Sequence, residues 1–526
     1  MRDRLLQGAR LLCTGAVFAV VATSAQARDY VVTTDADTVD GSDNAVSLRE
    51  AIQAAGTNAD VQNAPSGESA VIDTISFDGV TSITVVGAEY EIPEGLTITG
   101  PVTLTRDGTT GRIFNIDTSG ASTSALAQVT MSLLTLDGAE ADNGGAMLIE
   151  STGAVETPVS LTSMTMTSNT ATATGAGAGG GALYVSSGSV TLNSSLFGDN
   201  EATGALGNGG AILNGGTMTI TNSTFGNAST LLPNEARRAG GAIEHFAGTL
   251  TVTDTSFFGN EVDNSPEEGG GNGGAIHSTA GTVTVNGGLF RQNTAGGEGG
   301  ALWNNTNATM VIQSSANGAA EFRENEVEGG DDDSNAASDA TRGGGALFNL
   351  GVMTVTDAVI RDNEATGRLG NGGGVMARGT DANTTITDSN VSGNTANRAG
   401  GGIENQSGST LLVVGGSITD NEVGSAPGNG GGVHDGCVGG ACTGTVTLRG
   451  VTISDNTAAR EGGGVWTAGN TIISASAVGA NDMIITRNTA SGAAADDGGG
   501  GVFNEGGTMN IVLATITSNT ADGTAG

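Results

Sequence analysis

The chain contains no lysine: all 19 of its basic residues are arginine, set against 55 carboxylates, for a net charge of −36 over 526 residues. A field of that sign repels phosphate backbones and anionic lipid, which argues against nucleic acid and membrane surfaces as partners. Aromatic residues make up only 3%, too few to fill a conventional globular core for a chain this long. Three histidines allow no Ser/His/Asp arrangement to be assembled without arbitrary choice. Of three cysteines, Cys13 falls in an N-terminal segment read below as a leader, leaving Cys437 and Cys442 around Val-Gly-Gly-Ala. Two thiols are too few for a structural metal site and export favours oxidation, so a small disulfide-closed loop is expected. Past the leader, no run approaches the length of a membrane-spanning helix.

What the chain has instead is glycine, 90 residues of it. A Gly-Gly-(Ala/Gly)-aliphatic step recurs twelve times, its aliphatic residue being Met147, Leu183, Ile212, Ile243, Ile276, Leu302, Leu347, Val375, Ile403, Val433, Val465 and Val502. Each step is followed by an apolar-x-x-Asn step, as in Phe197 to Asn200, Phe257 to Asn260 and Phe290 to Asn293. The copy at Phe225 reads as broken, with Ala228 where asparagine is due. Between the anchors lie alternating stretches such as Met218-Thr219-Ile220-Thr221, the period of half-buried strands.

Strands with glycine corners make a coil, and like coils bury their aliphatic faces only by stacking along one axis. The expected fold is therefore all-β, a right-handed parallel β-helix, its hand set by the general chirality of strand crossovers. Each coil should rise about 4.8 Å. Asn214, Asn304, Asn349, Asn405 and Asn504, two residues after the aliphatic anchor, are expected to form an asparagine ladder at a corner. Arg2, Arg4 and Arg10 precede the apolar run from Leu11 to Ala22 and the small-residue site Ala25-Gln26-Ala27. That pattern makes 1–27 a secretory signal. Residues 28–120 are expected to form an N-terminal cap and first coils, and 121–526 the repeats, with another glycine corner due after Gly526.

Ahead of the repeats, Ser47 and Glu50 have the spacing of a capping box for a short helix whose Leu48, Ile52 and Ala55 share one face. Such a helix would cover the open end of the first coil, which would otherwise be an unpaired edge. The stretch Val46-Ser-Leu-Arg-Glu-Ala51 resembles the CSLREA domain found at the start of exported β-helix proteins, with Val46 in place of the signature cysteine. The repeats resemble the GGA(I/L/V) and FxxN units of polymorphic outer membrane proteins, which are autotransported adhesins. These resemblances imply an exported β-helix displayed at the bacterial cell surface or released outside it.

Alternation sets the residue after each aliphatic anchor opposite the buried side chain, hence outward. From Leu148 the column runs Tyr184, Leu213, Glu244, His277, Trp303, then Phe348, Met376, Glu404, His434, Trp466 and Phe503. The order repeats after five coils, as do loops: Asn200-Glu-Ala-Thr-Gly-Ala-Leu-Gly-Asn208 returns as Asn363-Glu-Ala-Thr-Gly-Arg-Leu-Gly-Asn371. A block of five coils has been duplicated. Two readings of the column stand. Tyr184, Glu244, His277, Trp303, Phe348, Glu404, His434 and Trp466 would make a recognition strip, stacking on sugar rings and bonding their hydroxyls. Alternatively, they pack beneath corner loops and were copied with the block, in which case both tryptophans are buried.

Two further patterns have plain readings. Asp35, Asp37, Asp40 and Asp43 would suit Ca²⁺ around the turn at Gly41, or they are acidic turn residues ahead of a helix. No other cofactor is expected. Asp331, Asp332 and Asp333 read as a solvated loop. Catalysis is not expected, because Glu244 and Glu404 stand five coils, about 24 Å, apart. The sequence thus points to an exported, adhesin-like β-helix that binds a surface glycan or protein receptor. The alternatives are a polysaccharide lyase or hydrolase and a purely structural surface protein.

Overall fold

The computed structural model describes residues 26–522 apart from 107, 109, 227–231, 264–270, 330–341, 425–426, 438–441, 477–481 and 495. The expected leader, but for Gln26 and Ala27, lies outside the described residues, as do Ala228, Asp331, Asp332 and Asp333.

The chain is an all-β parallel β-helix. One coil shows the plan: strands Ile276–Ser278, Gly281–Asn286, Leu289–Arg291 and Thr294–Ala295, after which Leu302–Asn304 begins the next turn. Each strand pairs in parallel with its counterpart one coil on, Ile276 with Leu302, Val283 with Met310, Phe290 with Phe322 and Ala295 with Val327. Three sheets of 29, 14 and 13 strands result. The largest takes two strands from most coils, the second carries strands of three or four residues, most of them after the Gly-Gly-(Ala/Gly) step, and the third carries the two-residue strands.

The two glycines of the repeat do separate jobs. Gly273 has φ +69°, a conformation side chains disfavour, and a Cβ on Gly274 would lie 2.2 Å from the Gly300 carbonyl oxygen of the next coil. Within strands, the alternation predicted from sequence holds: Val283 and Val285 are buried while Thr282 and Thr284 are half-buried. One apolar core runs from Tyr30 to Ile485. Inside it Phe197, Phe225, Phe257, Phe290 and Phe322 stack with ring centroids 4.7 to 4.9 Å apart, the spacing of one coil.

The continuous asparagine ladder stands at a different corner from the one predicted. It is built from the asparagines of the apolar-x-x-Asn steps and runs through twelve rungs from Asn169 to Asn519, each Nδ2 donating to the next Oδ1 at 2.8 to 3.0 Å. The residue before each ladder asparagine turns the corner with positive φ, for example Asp199 at 59° and Glu324 at 55°, except at Asn234, which follows Pro233. Such a bend costs roughly 1–2 kcal/mol in a residue other than glycine, and the buried bonds of the asparagine hold it. The Phe225 repeat is not broken: Asn234 fills its rung beyond an insertion. At the predicted corner the polar column is mixed. Asn304 does donate to Asn349 at 2.8 Å, but Asn214 meets His245 Nδ1 at 2.9 Å and Asn405 meets Asp435 at 2.9 Å.

The helix Leu48–Thr57 forms as its capping box predicts, with Ser47 Oγ accepting from the Glu50 amide and the Glu50 carboxylate accepting from Ser47 N. Its Leu48, Ala51, Ile52, Ala54 and Ala55 enter the same core as the coils, against strands Asp29–Val32, Asp73–Phe77 and Tyr90–Ile92. The open end of the first coil is thereby covered.

Candidate functional site

The register of the predicted column is as expected, Glu244 beside His277 beside Trp303 and Glu404 beside His434 beside Trp466. Its exposure is not. Every member from Leu213 to Trp466 is buried, Trp303 with 7% of its surface accessible and Trp466 with 8%. Glu244, His277, Trp303, Phe348, Glu404, His434 and Trp466 therefore form no exposed recognition strip, contrary to the sequence expectation. The physical reason is the corner ahead of these strands, which carries its own ladder of backbone bridges from Gly179 to Glu461. From it Glu298 Oε2 accepts the Trp303 indole N–H at 2.8 Å, and Glu461 Oε2 accepts that of Trp466 at 2.9 Å.

Both copies of the block keep one geometry beneath that corner. His277 Nδ1 lies 2.6 Å from Glu244 Oε2 and its ring stacks on Trp303 at 4.2 Å. His434 Nδ1 lies 2.7 Å from Glu404 Oε2, out of line for a hydrogen bond, and its ring stacks on Trp466 at 4.3 Å. Burial pushes the Glu461 carboxyl up, with the indole N–H opposing it. Trp303, Phe348 and Met376 form a small apolar cluster with Leu350 outside the main core. The cassette is an internal packing unit.

The four N-terminal aspartates do not converge. Asp37 is buried and saturated: Arg49 reaches it with Nε at 2.8 Å and Nη2 at 2.9 Å, the Val86 and Gly87 amides donate to Oδ2, and the Tyr90 hydroxyl donates to Oδ1. Burial pushes its carboxyl up, but Arg49, the Gly87 amide and Tyr90 more than offset this and leave it below the ordinary range. Asp40 caps a turn at Ser42, Asp43 caps one at Ala45 and binds Asn63, and Asp35 is exposed. Among the described residues no three of His, Cys, Asp and Glu come together to hold a metal ion. The role of the motif is visible instead: Ser47 and Glu50 cap the helix, Leu48 and Ala51 fill the core, and Arg49 ties the helix to Asp37. Cys437 and Cys442 are joined, with Cα atoms 5.1 Å apart, as their spacing predicted.

What stays open is the N-terminal end of the same outer face, where Glu91, Asn115, Leu148 and Tyr184 occupy four successive rungs. Glu91 is exposed and the other three half-buried. Tyr184 is thus the one predicted strip residue with surface to offer, and it tilts against Phe246 at 6.4 Å. Beside these rungs opens a groove of about 600 Å³ lined by Glu89, Glu91, Arg106, Arg112, Glu140 and Asp142 among others. Both guanidinium groups are engaged inward. Arg106 donates to the Gly87 and Arg112 carbonyls, while Arg112 donates to Glu89 at 2.6 Å and to the Asn143 and Gly144 carbonyls. Asn115 Nδ2 donates to Glu91 at 2.9 Å, and burial together with the Glu89 charge pushes the Glu91 carboxyl up. The groove therefore offers carboxylates suited to hydroxyl groups and ill suited to anions.

The sequence reading of the column began at Leu148 and so missed Glu91 and Asn115. The signal was there in Tyr90-Glu91-Ile92 and Phe114-Asn115-Ile116, which like Met147-Leu148-Ile149 and Leu183-Tyr184-Val185 set one outward residue between two buried apolar ones.

No protein-family model matches the chain, and no curated protein matches it. Among solved structures the fold is similar to tailspike protein 3 of bacteriophage CBA120, at 12% identity and a TM-score of 0.33 over 72% of this chain and 52% of that one. The chain spans about half the length of that protein, and the likeness is one of coil architecture alone. Among the described residues no helix is long and apolar enough to cross a membrane.

Proposed function

We propose that this chain is an exported β-helix of the cell surface that recognises a glycan in its N-terminal groove, adhesin-like in the sense its repeats imply. The observation that carries the reading is the contrast along one outer face. From Leu213 to Trp466 the column is sealed, whereas the rungs of Glu91, Asn115, Leu148 and Tyr184 stay uncovered beside the groove. A tyrosine face with carboxylate and amide acceptors is the usual equipment for stacking on a sugar ring and bonding its hydroxyls. The strong negative charge favours neutral glycans over acidic ones.

Glycan-array binding tests this. The chain from Arg28 onward should bind a neutral glycan, and a Glu91→Gln, Tyr184→Ala variant should lose that binding. Binding unchanged in the variant would remove the groove from the reading. A purely structural surface role is the second reading, favoured by the unbroken asparagine ladder, and absence of any bound glycan would leave it standing alone.

A further inference from the structure

Between Asn214 and Asn349 the mixed polar column is bonded at both ends and broken in the middle. Asn214, His245, Ser278, Asn304 and Asn349 follow one another in register and are fully buried. Asn214 bonds His245, and Asn304 bonds Asn349. Three side-chain atoms on the rungs between have no hydrogen-bond partner: His245 Nε2, Ser278 Oγ and Asn304 Oδ1. Buried polar atoms are nearly always satisfied, so three orphans on successive rungs call for a common partner.

The two outer orphans turn toward the Ser278 rung with fixed roles. Asn214 Oδ1 accepts from the Gly216 amide at 3.1 Å, so its Nδ2 is what meets His245 Nδ1, and that ring nitrogen accepts. The proton of the neutral imidazole is then on Nε2, a donor. This nitrogen reaches toward the Ser278 coil, where a Cβ on Gly281 would lie 3.0 Å from it. The Gly248 carbonyl is near the same imidazole but outside hydrogen-bond geometry. At the other end, Asn349 Oδ1 accepts from the Gly351 amide at 3.0 Å, so Asn304 offers it Nδ2, which also donates to the Ala308 and Val352 carbonyls. All of these partners lie in the coil of Asn304 or the next one. Its Oδ1, an acceptor, is left on the side of Ser278.

The duplicated block supplies the comparison. Five coils on, His245, Ser278 and Asn304 correspond to Asn405, Asp435 and Thr467, and there the column closes directly. Asn405 Nδ2 donates to Asp435 Oδ1 at 2.9 Å, and Thr467 Oγ1 donates to Asp435 Oδ2 at 3.0 Å. Serine has two heavy atoms fewer than aspartate, and its hydroxyl bonds neither neighbour across a rung of about 4.8 Å.

We propose that the Ser278 rung is a binding site for one internal water molecule, which accepts from His245 Nε2 and donates to Asn304 Oδ1 and Ser278 Oγ. Three such bonds are the usual complement of a buried water. An anion, the chemistry that Asp435 supplies in the second copy, is excluded because Asn304 presents an acceptor where Thr467 presents a donor. A cation is excluded because His245 presents a donor. The two copies thus close one column by different means, a water in the first and a side chain in the second.

Two measurements on the purified chain test the site. A crystal structure should show a water oxygen about 3 Å from each of His245 Nε2, Ser278 Oγ and Asn304 Oδ1. Magnetic relaxation dispersion of the water oxygen nucleus, which counts long-lived internal waters, should show the loss of one water in Ser278→Asn. The introduced amide would accept from His245 and donate to Asn304, as the other asparagines of the column do. No oxygen at that position, or a direct bond from Ser278 to His245 or Asn304, overturns the site, as does unchanged dispersion in Ser278→Asn. Should that variant fail to fold, the crystal structure of the unaltered chain decides alone.

Discussion

Replacing Asn293 by alanine in the middle of the ladder removes four hydrogen bonds at once. Its Oδ1 accepts from the Asn260 amide at 3.1 Å and from Asn260 Nδ2 at 2.9 Å, while its own Nδ2 donates to the Phe257 carbonyl at 3.1 Å and to Asn325 at 2.9 Å. All of these groups are buried. At roughly 1 kcal/mol for each net bond the loss is about 4 kcal/mol. Coils interact with their neighbours only, so the loss should be local, and at about 1.4 kcal/mol per tenfold it corresponds to about a thousandfold faster opening. Native-state hydrogen exchange reads this directly at the Asn260 amide and its neighbours. Asn519→Ala, at a half-buried end rung with bonds on one side only, should change exchange far less. If Asn293→Ala accelerates exchange by less than tenfold, or no more than Asn519→Ala does, the ladder does not hold the corner and the reasoning fails.

Three further outcomes follow from burial. The protein's two tryptophans, Trp303 and Trp466, should resist iodide quenching as internal groups, and Trp303→Ala should cost about 3–5 kcal/mol in urea unfolding; quenching like that of free tryptophan would refute their burial. Burial lowers the proton affinity of His245, with the Glu244 charge and the Gly248 carbonyl partly opposing it. The unfolded imidazole then takes its proton first, near pH 6.5, and stability falls as pH drops below about that value. His245→Asn, matching Asn214 on the rung before it, should flatten that fall in urea midpoints at about pH 7.5 and 5.5, and an equally steep fall would count against it. Burial raises the Asp435 carboxyl, opposed by Asn405, Thr467, His434 and Thr471. Its folded form therefore holds the proton above the unfolded value of about 3.9, and stability is lost as pH rises through the folded value. Asp435→Asn should be the more stable protein near pH 7 and lose that advantage near pH 4, and a variant weaker at both would contradict the sign.

The fold was legible because its determinants are local and repeated. Gly273 and Gly274 announce a corner whatever surrounds them, and Val283 and Val285 announce an inward face. Register was legible for the same reason, and it placed His277 on Trp303. Exposure was not, because the side of a strand is a local property and its accessibility is not. Whether Trp303 meets solvent depends on Glu298, which acts from a corner whose path the strand pattern does not specify. Asn234 escaped for a related reason: an insertion moved it out of step with the apolar-x-x-Asn spacing while leaving its rung unchanged. Asn214 and Asn405 are buried, but His245 and Asp435 share their column in place of the predicted asparagine ladder, and a column of mixed partners is invisible to a search for asparagine. The groove became legible only once strands Tyr90–Ile92 and Phe114–Ile116 were seen to continue the same sheet.

The duplicated block has a consequence for heredity. The seam between its copies, near Leu347, carries the same asparagine rung, glycine corner and strand pairing as any other coil boundary. A recombination event that adds or removes whole coils therefore leaves every remaining rung with a partner of the right kind, while one that stops partway through a coil breaks four strands and a ladder. Length in this molecule is accordingly a character on which mutation acts in steps of about 4.8 Å, largely uncoupled from the foldability of what remains. Natural variants of the chain should differ by integral coils, with the N-terminal groove carried unchanged at the end of rods of different heights.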